Sequence, residues 1–131
     1  MSENLDLVRS ISADWERGDF SRTDWAAPEI ESEHPDGVMT GRWQGLAGVA
    51  RAWREWVCAW EDLRATADDF RQLDGGRVLV RTSVSGRNKT TGLQFASAAG
   101  ACLFTIGDGK VTRLVVYWDR DHALADLGLE A

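Results

Sequence analysis

The sequence predicts an α+β domain, a curved antiparallel sheet whose concave face is covered by helices from the N-terminal half. Three observations carry this. Residues Leu93–Asp119 read LQFASAAGACLFTIGDGKVTRLVVYWD, two long apolar runs around Gly107-Asp108-Gly109, which is a strong hairpin signal. Upstream, Val49, Trp53, Trp56 and Trp60 step by four, three and four and so stack on one helix face. Ala96, Ala98 and Gly100 occupy alternate positions on the first hairpin arm. Placed on one face, three such small groups cannot fill a core, so the sheet is expected to leave a hollow opposite the indoles.

The elements follow in order. Glu3–Arg17 reads as a helix, with Leu5, Val8, Ser12 and Trp15 on one face, Leu7 and Ile11 beside it, and Gly18 as a stop. Ser21-Arg-Thr-Asp24 has capping-box spacing for a short second helix to Ala27, closed by Pro28. Glu29–Glu33 reads as an acidic edge strand, and His34-Pro35-Asp36-Gly37 as a turn. A glycine-rich loop around Trp43 leads to a helix over Leu46–Trp60. Leu63–Leu73 and Arg77–Arg87 are strands joined by Asp74-Gly75-Gly76, and Asn88–Gly92 is a polar turn before the long hairpin. A short helix follows, capped by Asp119 or Asp121. Helices first and a four-strand meander after them define the fold class. On the last arm, Leu114, Val116 and Trp118 lie on one face and Val111, Val115 and Tyr117 on the other, so both sheet faces are apolar. Helices cover one face, and a second copy of the chain is the economical cover for the other, predicting a homodimer through the sheet.

With 131 residues, the chain suits one domain spanning residues 1–131. A net charge of −6 argues against nucleic acid and against an anionic membrane surface as partners. No apolar run reaches the ~20 residues of a membrane span. The start, MSENLDLVRS, has no apolar core and is not read as a signal peptide. Together with only two cysteines, Cys58 and Cys102, this predicts a reducing, cytoplasmic location. His34 and His122 are the only histidines, and no Cys/His spacing resembles a metal site, so neither metal nor cofactor is expected.

Trp15–Phe20, then His34-Pro-Asp-Gly37, Gly41 and the helix after it, Asp108-Gly-Lys-Val111, Tyr117-Trp-Asp-Arg120 and the helix at Ala123–Leu127 resemble the nuclear-transport-factor-2-like (NTF2-like) superfamily, within it the SnoaL-like polyketide cyclase and ketosteroid isomerase-like branch. The resemblance spans nearly the whole chain and implies an NTF2-like cone. It places His34 at the position of the catalytic base. The isomerase oxyanion positions fall on Ile11 and near Cys102, residues that donate no strong hydrogen bond, so the resemblance carries the fold further than a steroid-type isomerisation. The acid of the epoxide-hydrolase type falls near Val116.

On this resemblance the expected function is a small-molecule pocket and cofactor-free acid–base chemistry of isomerase, cyclase or hydrolase type on an apolar carbonyl-bearing or polycyclic compound. His34 would be the base or acid, with Asp36 orienting it. Trp15, Trp56, Trp60, Cys102, Phe104 and Trp118 would form the walls. The alternative is a non-catalytic ligand-binding or dimerisation module of the same fold. Asp119 reads as a helix cap and His122 as exposed and inert. Either Val80 and Thr82 or Arg81 and Ser83 could face the pocket.

Overall fold

The structure is a computed structural model that describes residues 3–36 and 40–130. Its elements are α1 (Glu3–Glu16), β1 (Ala26–His34), β2 (Gly41–Gln44), α2 (Leu46–Cys58), β3 (Trp60–Leu73), β4 (Arg77–Asn88), β5 (Gln94–Gly107), β6 (Lys110–Tyr117) and α3 (Arg120–Leu127). Gly37 of the expected turn, and Val38 and Met39 of the expected loop, lie outside the described residues. The six strands form one open sheet in the order β2-β1-β6-β5-β4-β3. Every pairing is antiparallel except β1 with β6, so the sheet is mixed.

The hairpin turns as its sequence demands. Gly107 pairs with Lys110, and Asp108 and Gly109 between them have φ of 53° and 77°. Two central residues at positive φ are the signature of a type I′ turn, which Asp-Gly favours. The second short helix does not form. Asp19 takes hydrogen bonds from the Ser21 amide and hydroxyl, at 3.0 and 2.6 Å, and Arg22 reaches Asp14 and Asp24. With those side chains bonded sideways, Ser21 caps nothing, and Pro28 lies within β1. Nor is residue 29–33 an edge. Gly41–Gln44, expected as loop, pairs with Glu31–His34 as β2, with Arg42 to Glu33 and Gln44 to Glu31 bonds across the pair. The α2 helix stops at Cys58, and Trp60 already pairs with Asn88 as the first residue of β3.

One core lies between the concave face and α1 with α2. Val8, Ile11 and Trp15 of α1, Ile30 of β1, Val78 and Val80 of β4, Phe104 of β5 and Leu114 of β6 meet there. The second lies on the convex face, where Ala123 and Leu124 of α3 cover Leu79, Ala101, Leu103, Val115 and Tyr117. The outer apolar face that suggested a second copy is thus covered, over this stretch, by the chain's own C-terminal helix. Asp119 caps that helix by accepting from the Asp121 amide.

Register shifts interrupt the β3–β4, β4–β5 and β5–β6 pairings. Extra residues at such points bend a strand and increase its twist, which curves the sheet around the helices. One of them overturns the small-residue stripe. Val84 pairs with Ser97, but Thr82, two residues back, pairs with Gly100, three residues on. The bulge breaks the alternation, so Ala96 and Ala98 are exposed while Gly100 is buried. Gly100 is required where it stands, because a Cβ there would meet the Thr82 Oγ1 at 2.9 Å.

The β3–β4 turn makes a testable contrast. Gly75 and Gly76 both have positive φ, but a Cβ on Gly76 would fall 2.6 Å from the Ile106 carbonyl oxygen, whereas one on Gly75 meets nothing within 4 Å. Gly75→Ala should cost about 1 kcal/mol for its backbone conformation alone. Gly76→Ala adds a backbone clash and should cost about 2–3 kcal/mol. Urea unfolding of the two variants measures the difference; equal losses would contradict this packing.

Candidate functional site

The site is an aromatic layer between the helices and the concave sheet. Trp15 ends α1 and packs against Phe20, Trp25, Trp53 and Phe104 at centroid distances of 6.0, 6.2, 5.3 and 5.9 Å. From there a line of rings runs through Trp53 to Trp56 (5.8 Å) and on to Trp118 (6.1 Å). The four-three spacing read in α2 brings Trp53 and Trp56 into that line. Trp118 joins from the end of β6, where alternation turns it inward with Leu114 and Val116.

Inside this layer lies a cavity of about 40 Å³ lined by Trp15, Phe20, Trp53, Trp56, Trp118 and small groups of β3–β6: Ala65, Thr82, Val84, Ser97, Gly100, Cys102 and Val116 among them. It has room for water but falls far short of the roughly 300–1,000 Å³ of ordinary small-molecule sites. A second, open groove of about 570 Å³ lies on the other side of Trp15, Phe20 and Trp53, between the Gly18–Trp25 segment and α2. Those three rings form the wall between the two volumes.

The electrostatics of the layer are set by missing partners. Among the described residues, the indole nitrogens of Trp53, Trp56 and Trp118 and Nδ1 of His34 are buried with no hydrogen-bond partner. Unpaired buried polar atoms are costly, each on the order of 1–3 kcal/mol. The indole N–H donates and cannot accept, so what these three lack is an acceptor. Trp25 shows the satisfied case, its indole N–H donating to the Arg22 carbonyl at 2.9 Å.

His34 is 4% exposed, at the inner end of β1. Its ring lies edge-on to Trp43 at 5.3 Å and to Trp53 at 6.2 Å, one ring behind the cavity. Burial pulls its pKa down to about 4, and the charge of Asp36 resists this only in part. The imidazole is therefore neutral at physiological pH. Asp36 does not hydrogen-bond to it. The Asp36 carboxylate accepts the backbone N–H of Trp118 at 2.6 Å and meets His122 Nδ1 at 2.7 Å. His122, expected to be inert, thus belongs to a clamp between the end of β1 and the β6–α3 corner. Asp126 lies 3.5 Å from its other nitrogen, and the hydrogen bond to Asp36, with these carboxylates, raises the His122 pKa.

Of the other expected wall residues, Trp15, Trp56, Cys102 and Trp118 line the cavity. Phe104 is fully buried behind Trp15 as core, and Trp60 packs between Trp56 and Phe95. Burial pushes the Cys102 thiol up to about 12, so it stays protonated. Ile11 is core. On β4, Thr82 faces the cavity, while Arg81 is exposed and Ser83 donates to Asp68 on β3. Sequence reasoning missed Phe20 as a wall residue, Asp14 as the buried acceptor of Arg17 and Arg22, and His122 as the partner of Asp36, and it leaves Thr82 as one of two choices. Trp53, on the helix face read from the sequence though not among the expected walls, lines both volumes; Phe20 and His122 depend on contacts distant in sequence.

The two histidines act on stability with opposite sign. His34 has a folded pKa below its unfolded value, so its contribution is complete above about pH 6.5 and is lost as pH falls towards 4, by about 3 kcal/mol in all. His122 has a raised folded pKa, so its contribution is present below the unfolded value and is lost as pH rises through the folded one. In urea titrations, His34→Gln should flatten the loss of stability on acidification from pH 6.5 to 4, and His122→Gln should flatten the loss of stability as pH rises above 6.5. The same pH dependence in wild type and His34→Gln would contradict a buried neutral imidazole.

The comparisons with known proteins agree with this architecture. The crystal structure of an NTF2-like protein of unknown function from Burkholderia pseudomallei K96243 matches with a TM-score of 0.78 at 20% identity, over 95% of this chain and 97% of that one. A protein of ketosteroid isomerase-like fold from Catenulispora acidiphila DSM 44928, in complex with trimethylamine, matches with a TM-score of 0.71 at 17% identity, over 95% and 94%. TerC, co-crystallised with polyporic acid, matches with a TM-score of 0.74 at 22% identity, over 96% and 98%. No curated protein matches the chain in sequence. The sequence model of the SnoaL-like domain matches residues 8–114, and the chain belongs to that family, with the α+β NTF2-like fold.

Proposed function

We propose that this protein takes a small, largely apolar, carbonyl-bearing molecule into the aromatic layer and catalyses a cofactor-free proton transfer on it, of isomerase, cyclase or hydrolase type. The observation that carries the reading is the set of buried, unpaired groups on Trp53, Trp56, Trp118 and His34. Three N–H donors lacking acceptors suit a guest rich in oxygen. Of the two ligands seen with related folds, polyporic acid offers such oxygens and trimethylamine does not. Trp53, Trp56 and Trp118 are only half-buried, and a guest larger than the cavity requires their rings to turn.

In this reading, His34 acts as a base. It is neutral at physiological pH, so a lone pair is free to receive a proton from carbon beside a carbonyl. The indole donors hold the oxygen on which charge develops, a role a protonated Cys102 fills poorly. Asp36 supports His34 by its charge and fixes the backbone of Trp118. The runner-up, a non-catalytic binding module, draws on the position of His34 behind Trp53.

Hydrogen–deuterium exchange at the carbon beside the carbonyl of 2-tetralone in D₂O, followed by proton NMR, separates the two. The enzyme reading expects exchange above background that drops on the order of 10²-fold or more in His34→Gln. Binding without exchange, or equal exchange in His34→Gln, would leave the binding module.

The same reading places the protein in the cytoplasm as a homodimer. The two cysteines are free, and among the described residues no helix is long and apolar enough to cross a membrane. A second copy would sit on the part of the sheet that α3 leaves open, where Leu93 is 69% exposed and Ala96, Ala98 and Ala99 are exposed beside it. Leu93→Glu should shift the mass measured by light scattering from dimer to monomer; a wild-type monomer at 100 µM, a concentration chosen as on the order of weak association, would remove the dimer from the account.

A further inference from the structure

We propose that the open groove outside the ring wall is a second binding site, for a flat aromatic molecule carrying a carboxylate. This does not depend on proton transfer in the inner cavity. At about 570 Å³ the groove is within the range of small-molecule sites, while the inner cavity, at about 40 Å³, is not. Trp15, Phe20, Trp25 and Trp53 give it an aromatic floor, and Val49 and Val57 of α2 extend the apolar surface along one bank. Aromatic rings of this kind offer a large contact area to a flat guest at low conformational cost.

The charge of the guest follows from the charged side chains that reach the groove, Asp19, Arg22 and Arg54. Arg22 is consumed: it bonds Asp14 at 2.9 Å and Asp24 at 3.2 and 3.3 Å. Asp19 already accepts the amide and hydroxyl of Ser21. Arg54, exposed on α2, makes no hydrogen bond or ion pair among the described residues. Among the described residues its guanidinium is the one cation of the groove left unpaired, and its planar fork matches a carboxylate in bidentate fashion. An aromatic floor with a free guanidinium at its rim selects an aromatic acid over its neutral or cationic analogue.

The test compares three probes with one ring system, 2-naphthoate, 2-naphthylmethanol and 2-naphthylmethylamine, by calorimetric titration of the wild type, Arg54→Gln and Arg51→Gln. Arg51 lies on the same helix outside the groove lining and controls for general charge. The proposal expects 2-naphthoate to bind at least about tenfold tighter than the alcohol. That preference should vanish in Arg54→Gln and persist in Arg51→Gln. Equal or tighter binding of the alcohol or the amine, unchanged naphthoate affinity in Arg54→Gln, or no binding of naphthoate at millimolar concentration would each overturn it.

Discussion

The structure depends on Trp15. Its indole touches the α1–β1 segment through Phe20 and Trp25, α2 through Trp53 and the sheet through Phe104. Three parts of the chain are thereby fixed to one ring of α1. Burial of such a side chain is a large share of the net stability of a domain this size, because the favourable and unfavourable terms of folding nearly cancel. The same ring is a wall of both volumes described above, so the contact that assembles the fold also sets the boundary of the site.

The layer beyond Trp15 is less settled in its polar chemistry than in its packing. The rings from Trp53 to Trp118 are in contact, yet three of their N–H groups have nothing to bond. A purely structural core would favour phenylalanine or leucine at these positions, which fill space without an unmet donor. Indoles there are understandable if the unmet donors are for a guest. Trp118 is also held from behind, because Asp36 takes its backbone N–H while engaging His122. Through this clamp, the charge state of an outer histidine bears on the position of an inner wall residue.

Much of this was legible in the sequence, for physical reasons. The helix period of α1, the Asp-Gly hairpin and the alternation from Leu114 to Trp118 are local, and each formed where expected; α2 ended at Cys58 and gave Trp60 to β3, and a register shift put Val111 in the concave core with Leu114 instead of with Val115 and Tyr117. What failed was decided by partners distant in sequence. The Ser21–Asp24 spacing suits a cap, but Asp14 and Asp19 compete for the same side chains. Gly41–Gln44 is too short to show a strand period and becomes β2 because β1 offers it a ladder. The alanine stripe was lost to a β-bulge, which no alternation rule reveals, and the small inner wall is instead built from Ser97, Gly100 and Cys102. His34 was legible as a residue of interest, but not its burial behind Trp53, and the Asp36–His122 contact joins residues 86 apart in the chain.

The central claim, that the unpaired indoles receive an acceptor-bearing guest, is tested most directly by the indole Nε1–H resonances in a proton–nitrogen correlation spectrum recorded while polyporic acid is added. The account predicts that the resonances of Trp53, Trp56 and Trp118 move downfield as they gain acceptors, while that of Trp25, already bonded to the Arg22 carbonyl, stays in place. Saturable binding that leaves those three unchanged would contradict it.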